Sequence, residues 1–348
     1  MGIVMKRMVL LATALAMVSG SAVAADMALK AVKAPPVAAF EPWDIAFGSA
    51  IMNDYIFRGI TQSNHKPSVA AYFEPRYNVT KDLQLYVGVS GESISFSNRA
   101  AAEIDIYGGI RPTFGAFAFD FGVWGYLYPG GTCFNGGVGG LAVDPAGKPL
   151  SAECFANSLL NGNVMKKDVS FMEVYGKVNY TINDNWQFGL NEYYSPNFLN
   201  SGAWGNYSSV TGKYTAPSTI FGSSGVGMYI SGEFGRQWLG TSDSFYGTAP
   251  SFAGPGFVGP FFPKGISYAD YNTWNIGIGF TYKVFTLDLR YSDTNLSKAN
   301  CNAFTSDYTA KFSSSFSPIN PSGVGSNWCG AAGIAKLSAD LTAMTNLK

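Results

Sequence analysis

The chain has 348 residues, of which 13% are charged and 15% aromatic. So little charge beside so many rings is a poor coat for a water-soluble surface, and 23 basic against 23 acidic residues leave no basic footprint for nucleic acid. Beyond its N-terminal segment the chain offers no uninterrupted apolar run of about 20 residues, so entry into a membrane would have to use strands.

Lys6 and Arg7 precede an apolar run from Met8 to Val18, and Ala22-Val23-Ala24 supplies a small-residue cleavage pattern, so residues 1–24 read as a secretory signal peptide. Residues 25–42, with Lys30, Lys33, Pro35 and Pro36, are Ala/Pro-rich without a period and read as a flexible periplasmic leader. Residues 43–348 then show a recurring alternation with a period of two, the signature of half-buried strands.

The first strand starts at Trp43, with Trp43, Ile45, Phe47 and Ile51 on one face, and is expected to continue past a kink near Asn53 through Tyr55 and Phe57 to Arg58. A short loop with His65 and Pro67 leads to a second strand, Ser68 to Val79, and Thr80-Lys81-Asp82 turns it into a third, Leu83 to Ser90. In the fourth, Ile104, Ile106 and Ile110 oppose Glu103, Asp105, Tyr107 and Arg111. The fifth, Phe117 to Tyr128, sets Phe117, Phe119, Phe121 and Val123 against Asp120, Trp124 and Tyr126. These two form a hairpin with one oily and one charged face, and the charged face needs water or paired polar groups.

A Gly-rich loop, Pro129 to about Lys167, precedes strands six (Met172 to Tyr180) and seven (from Trp186), which are joined by Asn183-Asp184-Asn185. Strand eight is placed around Asn206 to Ala216, and strand nine runs from Gly225 to Trp238. After an aromatic loop, Tyr271 to Tyr282 and Phe285 to Asp293 form strands ten and eleven, and Lys336 to Leu341 a weak last strand. The sum is an all-β transmembrane antiparallel up-and-down barrel of about 12 strands, with short periplasmic turns and long extracellular loops. Trp43, Trp186, Trp204, Trp238 and Trp274 fall near strand ends, where interfacial aromatic girdles sit.

Four cysteines in an exported chain point to disulfides. Cys133 and Cys154 share one loop and Cys301 and Cys329 another, so the within-loop pairings are favoured among the three possible ones.

The inward-facing charges are Arg58, Glu74, Arg76, Glu103, Asp105, Arg111, Asp120, Glu173, Lys177, Glu233, Asp288 and Arg290. In a water-filled lumen they would set ion preference; paired across strands, they would plug it. Glu103 and Asp105, two apart on one face, loosely resemble a catalytic carboxylate pair, but lumen lining accounts for them better. His65, the only histidine, stands beside Lys66 and Pro67 with no serine-elbow motif nearby, so a loop role is expected rather than a hydrolytic one. The glycines from 130 to 140 lack the Lys-Ser/Thr of a phosphate loop. The loop with Phe245, Tyr246, Phe252, Phe257, Phe261 and Phe262 either packs on the rim, folds inward as a constriction or binds an apolar ligand.

Several stretches resemble the TorF-like family of proteobacterial porins, also called Gcw_chp: YIFRGI (Tyr55 to Ile60), EIDIYGG (Glu103 to Gly109), YLYPG (Tyr126 to Gly130), EVYG (Glu173 to Gly176), YYSPNF (Tyr193 to Phe198) and LRYSDTNL (Leu289 to Leu296) ahead of Cys301. The resemblance implies an outer-membrane barrel and a pore, with no known substrate. The expectation is therefore a passive channel for small hydrophilic solutes or ions. Its partners would be outer-membrane lipid and the assembly machinery, with no cofactor, metal or catalytic residue. A structural or adhesive barrel with a filled lumen is the alternative, and a barrel lipid hydrolase ranks third.

Overall fold

The computed structural model describes residues 41–134, 163–247, 262 and 264–347. Residues 1–24, expected to be a signal peptide, and most of the expected leader at 25–42 lie outside these residues.

Twelve strands close into one antiparallel barrel. They are β1 (Trp43–Met52), β2 (Ser68–Thr80), β3 (Leu83–Glu92), β4 (Glu103–Phe114), β5 (Phe117–Leu127), β6 (Phe171–Thr181), β7 (Trp186–Ser195), β8 (Gly205–Thr215), β9 (Val226–Leu239), β10 (Tyr271–Tyr282), β11 (Phe285–Thr294) and β12 (Ala332–Thr342). Each pairs with its sequence neighbours, and β1 closes the ring on β12 from Ala46↔Thr342 to Met52↔Lys336. Closure leaves no open strand edge, so every backbone polar group of the wall can be satisfied internally.

Side-chain alternation assigns the two faces. Ile106, Leu190 and Ile276 are 57%, 57% and 59% exposed on the outside, while Glu103, Tyr107, Tyr193 and Thr273 on the same strands are buried inside. Val69, Phe73, Val87, Phe121, Val123, Val174, Phe234, Phe285 and Leu337 extend the outer apolar surface around the ring. A continuous belt of this kind is far larger than a soluble protein tolerates, and it is the lipid-facing surface of a transmembrane barrel. Trp43 and Trp186 stand at one rim and Trp204 and Trp238 at the other, consistent with two girdles.

The two rims differ. One carries connections of two to ten residues, including Lys81-Asp82, Gly115-Ala116 and Lys283-Val284, together with both ends of the barrel chain. The other carries connections of nine to 43 residues. Lys298–Thr305 forms a short helix, α1, in the last of these, capped at its start by the Ser297 hydroxyl.

One sequence expectation needs correction. The first strand does not run on to Arg58: β1 stops at Met52, and residues 53–67 turn into the barrel mouth. There Ile56–Phe57 pairs with Ile60–Thr61 as a small hairpin. Arg58 and Gly59 both hold positive φ, 48° and 79°, the backbone that a two-residue hairpin turn of the primed type demands. Tyr55 and Phe57, which alternate like wall residues, thus belong to an inserted hairpin.

Candidate functional site

The hairpin tip crosses the lumen. Arg58 donates through both Nη atoms to the Glu173 carboxylate on β6, at 2.8 and 2.7 Å, and to Gln237 on β9 at 3.1 Å. Its guanidinium also lies 4.5–4.8 Å from the ring centres of Phe57, Tyr193 and Tyr207. A forked ion pair sheathed by aromatic faces suits arginine's planar, weakly hydrated cation. Gly59 is needed for space as well as conformation, since a Cβ there would meet Thr294 and Thr273 at 2.3 and 2.5 Å.

The stem of the hairpin is fastened to the mouth. Asp54 accepts from the Thr61 hydroxyl at 2.5 Å and from the Ser63 hydroxyl at 3.0 Å, and faces Nδ1 of His65 at 2.7 Å. Nε2 of His65 faces the Asn327 carbonyl at 3.2 Å. With acceptors at both ring nitrogens the imidazolium is the better-satisfied form, and the hydrogen bond to Asp54 raises the His65 pKa above its usual value. Among the described residues, the group at Nε2 is this carbonyl and not a hydroxyl.

Thr61 N–H donates to Trp328 O at 2.9 Å, and Asn64 accepts from the Trp328 indole at 2.8 Å. These contacts tie the hairpin to the 295–331 connection, which Cys301–Cys329 closes with a sequence separation of 28. That is one of the two expected pairings. Cys133 is disulfide-bonded too; Cys154 lies outside the described residues. A cavity of about 60 Å³ remains at the hairpin, lined by Phe57, Ile60, Phe96, Tyr128, Phe198 and Trp328 among others.

The other predicted lumen charges all face inward and meet partners there. Glu74 receives Arg76 at 2.6 Å and Arg111 at 2.7 Å, and Arg111 also reaches Asp120 at 3.3 Å. Asp120 accepts from the Tyr86 hydroxyl, which itself contacts the Tyr175 hydroxyl. Lys177 lies 4.6 Å from the Tyr175 ring centre, Glu233 accepts from Tyr207 at 2.9 Å, and Arg290 pairs with Asp288 at 3.0 Å.

Glu103 accepts from the Tyr55 and Tyr128 hydroxyls at 2.6 and 2.8 Å. Asp105 and Glu103 are joined by a third carboxylate, Glu92, which the sequence reading missed because it ended the third strand at Ser90. Continuing the alternation Ser90, Glu92 would have found it. One carboxylate oxygen from each of the three lies within 4.8 Å of the others. Tyrosine was the other overlooked signal, since Tyr55, Tyr86, Tyr126, Tyr128 and Tyr175 carry much of the interior hydrogen bonding. In the aromatic loop, Phe245 and Tyr246 pack at 5.0 Å beside Lys166. Phe252, Phe257 and Phe261 lie outside the described residues, as do Gly136, Gly137, Gly139 and Gly140.

Fold and interior together define a transmembrane β-barrel whose mouth is occupied by its own chain. Residues 37–138 match the model of a family described as a bacterial protein of unknown function (Gcw_chp); the match takes in the YIFRGI, EIDIYGG and YLYPG stretches and supports the likeness to that family. No curated protein matches the chain. Among solved structures, OprB of Pseudomonas putida is 10% identical over 86% of this chain and 93% of its own, with a TM-score of 0.37. OmpT, an outer membrane protein of Vibrio cholerae, is 12% identical over 88% and 100%, with a TM-score of 0.33. LpxR from Salmonella typhimurium is 8% identical over 85% and 99%, with a TM-score of 0.37.

Proposed function

We propose that the chain is an outer-membrane channel for small hydrophilic solutes or ions, exported through the secretory pathway, whose resting state is closed by the 53–67 hairpin. The observation that carries this reading is how the mouth is filled. The filler is a separate segment that leaves the wall at Met52, makes its turn at Arg58-Gly59 and returns at Ser68, held by one forked ion pair and a set of hydrogen bonds. A permanently solid barrel needs only wall side chains inside it. The charged inner faces supply the polar path a solute requires once the segment moves. In this reading the short connections face the periplasm and the long ones the exterior, the partners are membrane lipid, the assembly machinery and the passing solute, and the chain carries out no catalytic step.

A second reading, a structural or adhesive barrel with a filled lumen, draws support from the Glu74–Arg111–Asp120 cluster, which occupies the interior without help from the hairpin.

Met52 and Ser68 are directly paired neighbours, so residues 53–67 can be replaced by a two-residue Asn-Gly turn. In planar bilayers the wild type should show rare, discrete openings and the excised variant sustained conductance steps. A folded excised variant that stays silent would favour the filled barrel.

A further inference from the structure

We propose that Glu92, Glu103 and Asp105 bind one hard divalent cation of the calcium type inside the barrel, below the external mouth.

Register brings the three together. Glu92 on β3 pairs directly with Glu103 on β4, and Ser90 with Asp105, so all three carboxylates project from one inner patch of the wall. Like charges placed directly opposite destabilise a strand pair unless something neutralises them. Elsewhere in this lumen arginine does so: Glu173 has Arg58, Glu74 has Arg76 and Arg111, Asp288 has Arg290. At this patch the groups meeting the carboxylates are the hydroxyls of Tyr55, Tyr128 and Ser90, and none of the described salt bridges involves the three acids.

Closeness alone says little, but two further features point to a ligand. Glu92 is 3% exposed, yet neither of its carboxylate oxygens has a partner in hydrogen-bond geometry, the nearby Ser90 hydroxyl donating to Asp105 instead, and Oδ1 of Asp105, at 0% exposure, lacks one too. The buried indole N–H of Trp124 lies beside Asp105 and, being a donor, can only orient that carboxylate and not ligate a cation, so the case rests on the oxygens of Glu92 and Asp105. Buried polar atoms left this way are costly, and their clustering calls for an occupant.

An all-oxygen, anionic donor set selects hard cations over soft ones. Calcium takes oxygens at about 2.3–2.6 Å, so ligands on opposite sides stand up to roughly 5 Å apart. One donor oxygen from each residue lies within 4.8 Å of the others, inside the reach of a calcium shell, and calcium's tolerant geometry suits three wall-fixed carboxylates better than the strict octahedron of magnesium. The two tyrosine hydroxyls on Glu103 would fix its orientation, as partners of metal ligands commonly do. Tyr128 also lines the mouth cavity, so one side chain separates the site from it. Because Tyr55 belongs to the inserted hairpin, the ion would add a further hold on that segment.

The test uses full mature protein refolded in detergent free of lipopolysaccharide, stripped with chelator, then titrated with terbium and separately with calcium. Terbium emission excited through Trp124 should saturate at one ion per chain, be displaced by calcium, and be weakened about tenfold or more by Glu92→Gln or Asp105→Asn. Calcium should also raise the thermal midpoint of the wild type and not that of the variants. Folded wild type that binds neither ion, or binding that both variants leave unchanged, would overturn the proposal; in the first case the carboxylates share protons instead. Should one amide variant fail to fold, the other together with the wild-type titration decides.

Discussion

Arg58 shows what a single residue contributes here. Its partner Glu173 is fully buried, so removing the guanidinium strands a carboxylate in a low-dielectric interior, at a cost of about 3–5 kcal/mol. Arg58→Ala should therefore lower the midpoint of denaturant unfolding from lipid vesicles substantially, while Arg58→Met combined with Glu173→Gln should recover most of the loss. Gly59→Ala should also loosen the tip, because the added methyl would sit at positive φ against Thr273 and Thr294. Faster hydrogen exchange in residues 53–67 with the barrel amides unchanged is the expected readout.

His65 adds a pH dependence whose sign follows from its raised pKa. The folded protein holds the proton more tightly than the unfolded chain, so this fastening is fully present below the ordinary value of about 6.5 and fades as pH rises through the raised one. Exchange at 53–67 should accelerate over that window in the wild type and lose the dependence in His65→Ala.

At the scale of elements, the wall was legible because each strand obeys one rule. Wherever the outer face is uniformly apolar, as in β4, β5 and β11, the period of two fixed both strand and phase. β8 was harder to place because Asn206, Ser208 and Gly212 dilute its outer face; its register comes from β7 and β9 on either side. The same dependence on partners explains β12, which pairs Leu337 with Ile51 and Leu287. The hairpin escaped for the opposite reason. YIFRGI alternates like wall, and only the φ signs at Arg58 and Gly59, with a partner 115 residues away in sequence, distinguish it. The acid cluster was half visible as Glu103 and Asp105, and its third member lay across the strand pair. The Cys301–Cys329 bridge spans a 28-residue separation, worth about 3–4 kcal/mol in a chain-entropy account. Replacing both cysteines with serine should raise exchange at Trp328 and, through the Thr61 and Asn64 bonds, in the hairpin as well.

For the whole molecule, the account turns on two solvents meeting opposite sides of one wall. Apolar side chains outside would be an aggregation hazard in water and are at rest only in hydrocarbon. Charges inside would be prohibitive unless paired, hydrated or bound to an ion. The most direct measurement is spin labelling of single-cysteine substitutions at Ile106, Val123, Leu190 and Ile276 in protein reconstituted into lipid bilayers. All four labels should be open to dissolved oxygen and shielded from a water-soluble nickel chelate. Labels that the chelate reaches, or that are immobilised and closed to oxygen, would contradict the barrel's orientation to lipid, and the channel with it.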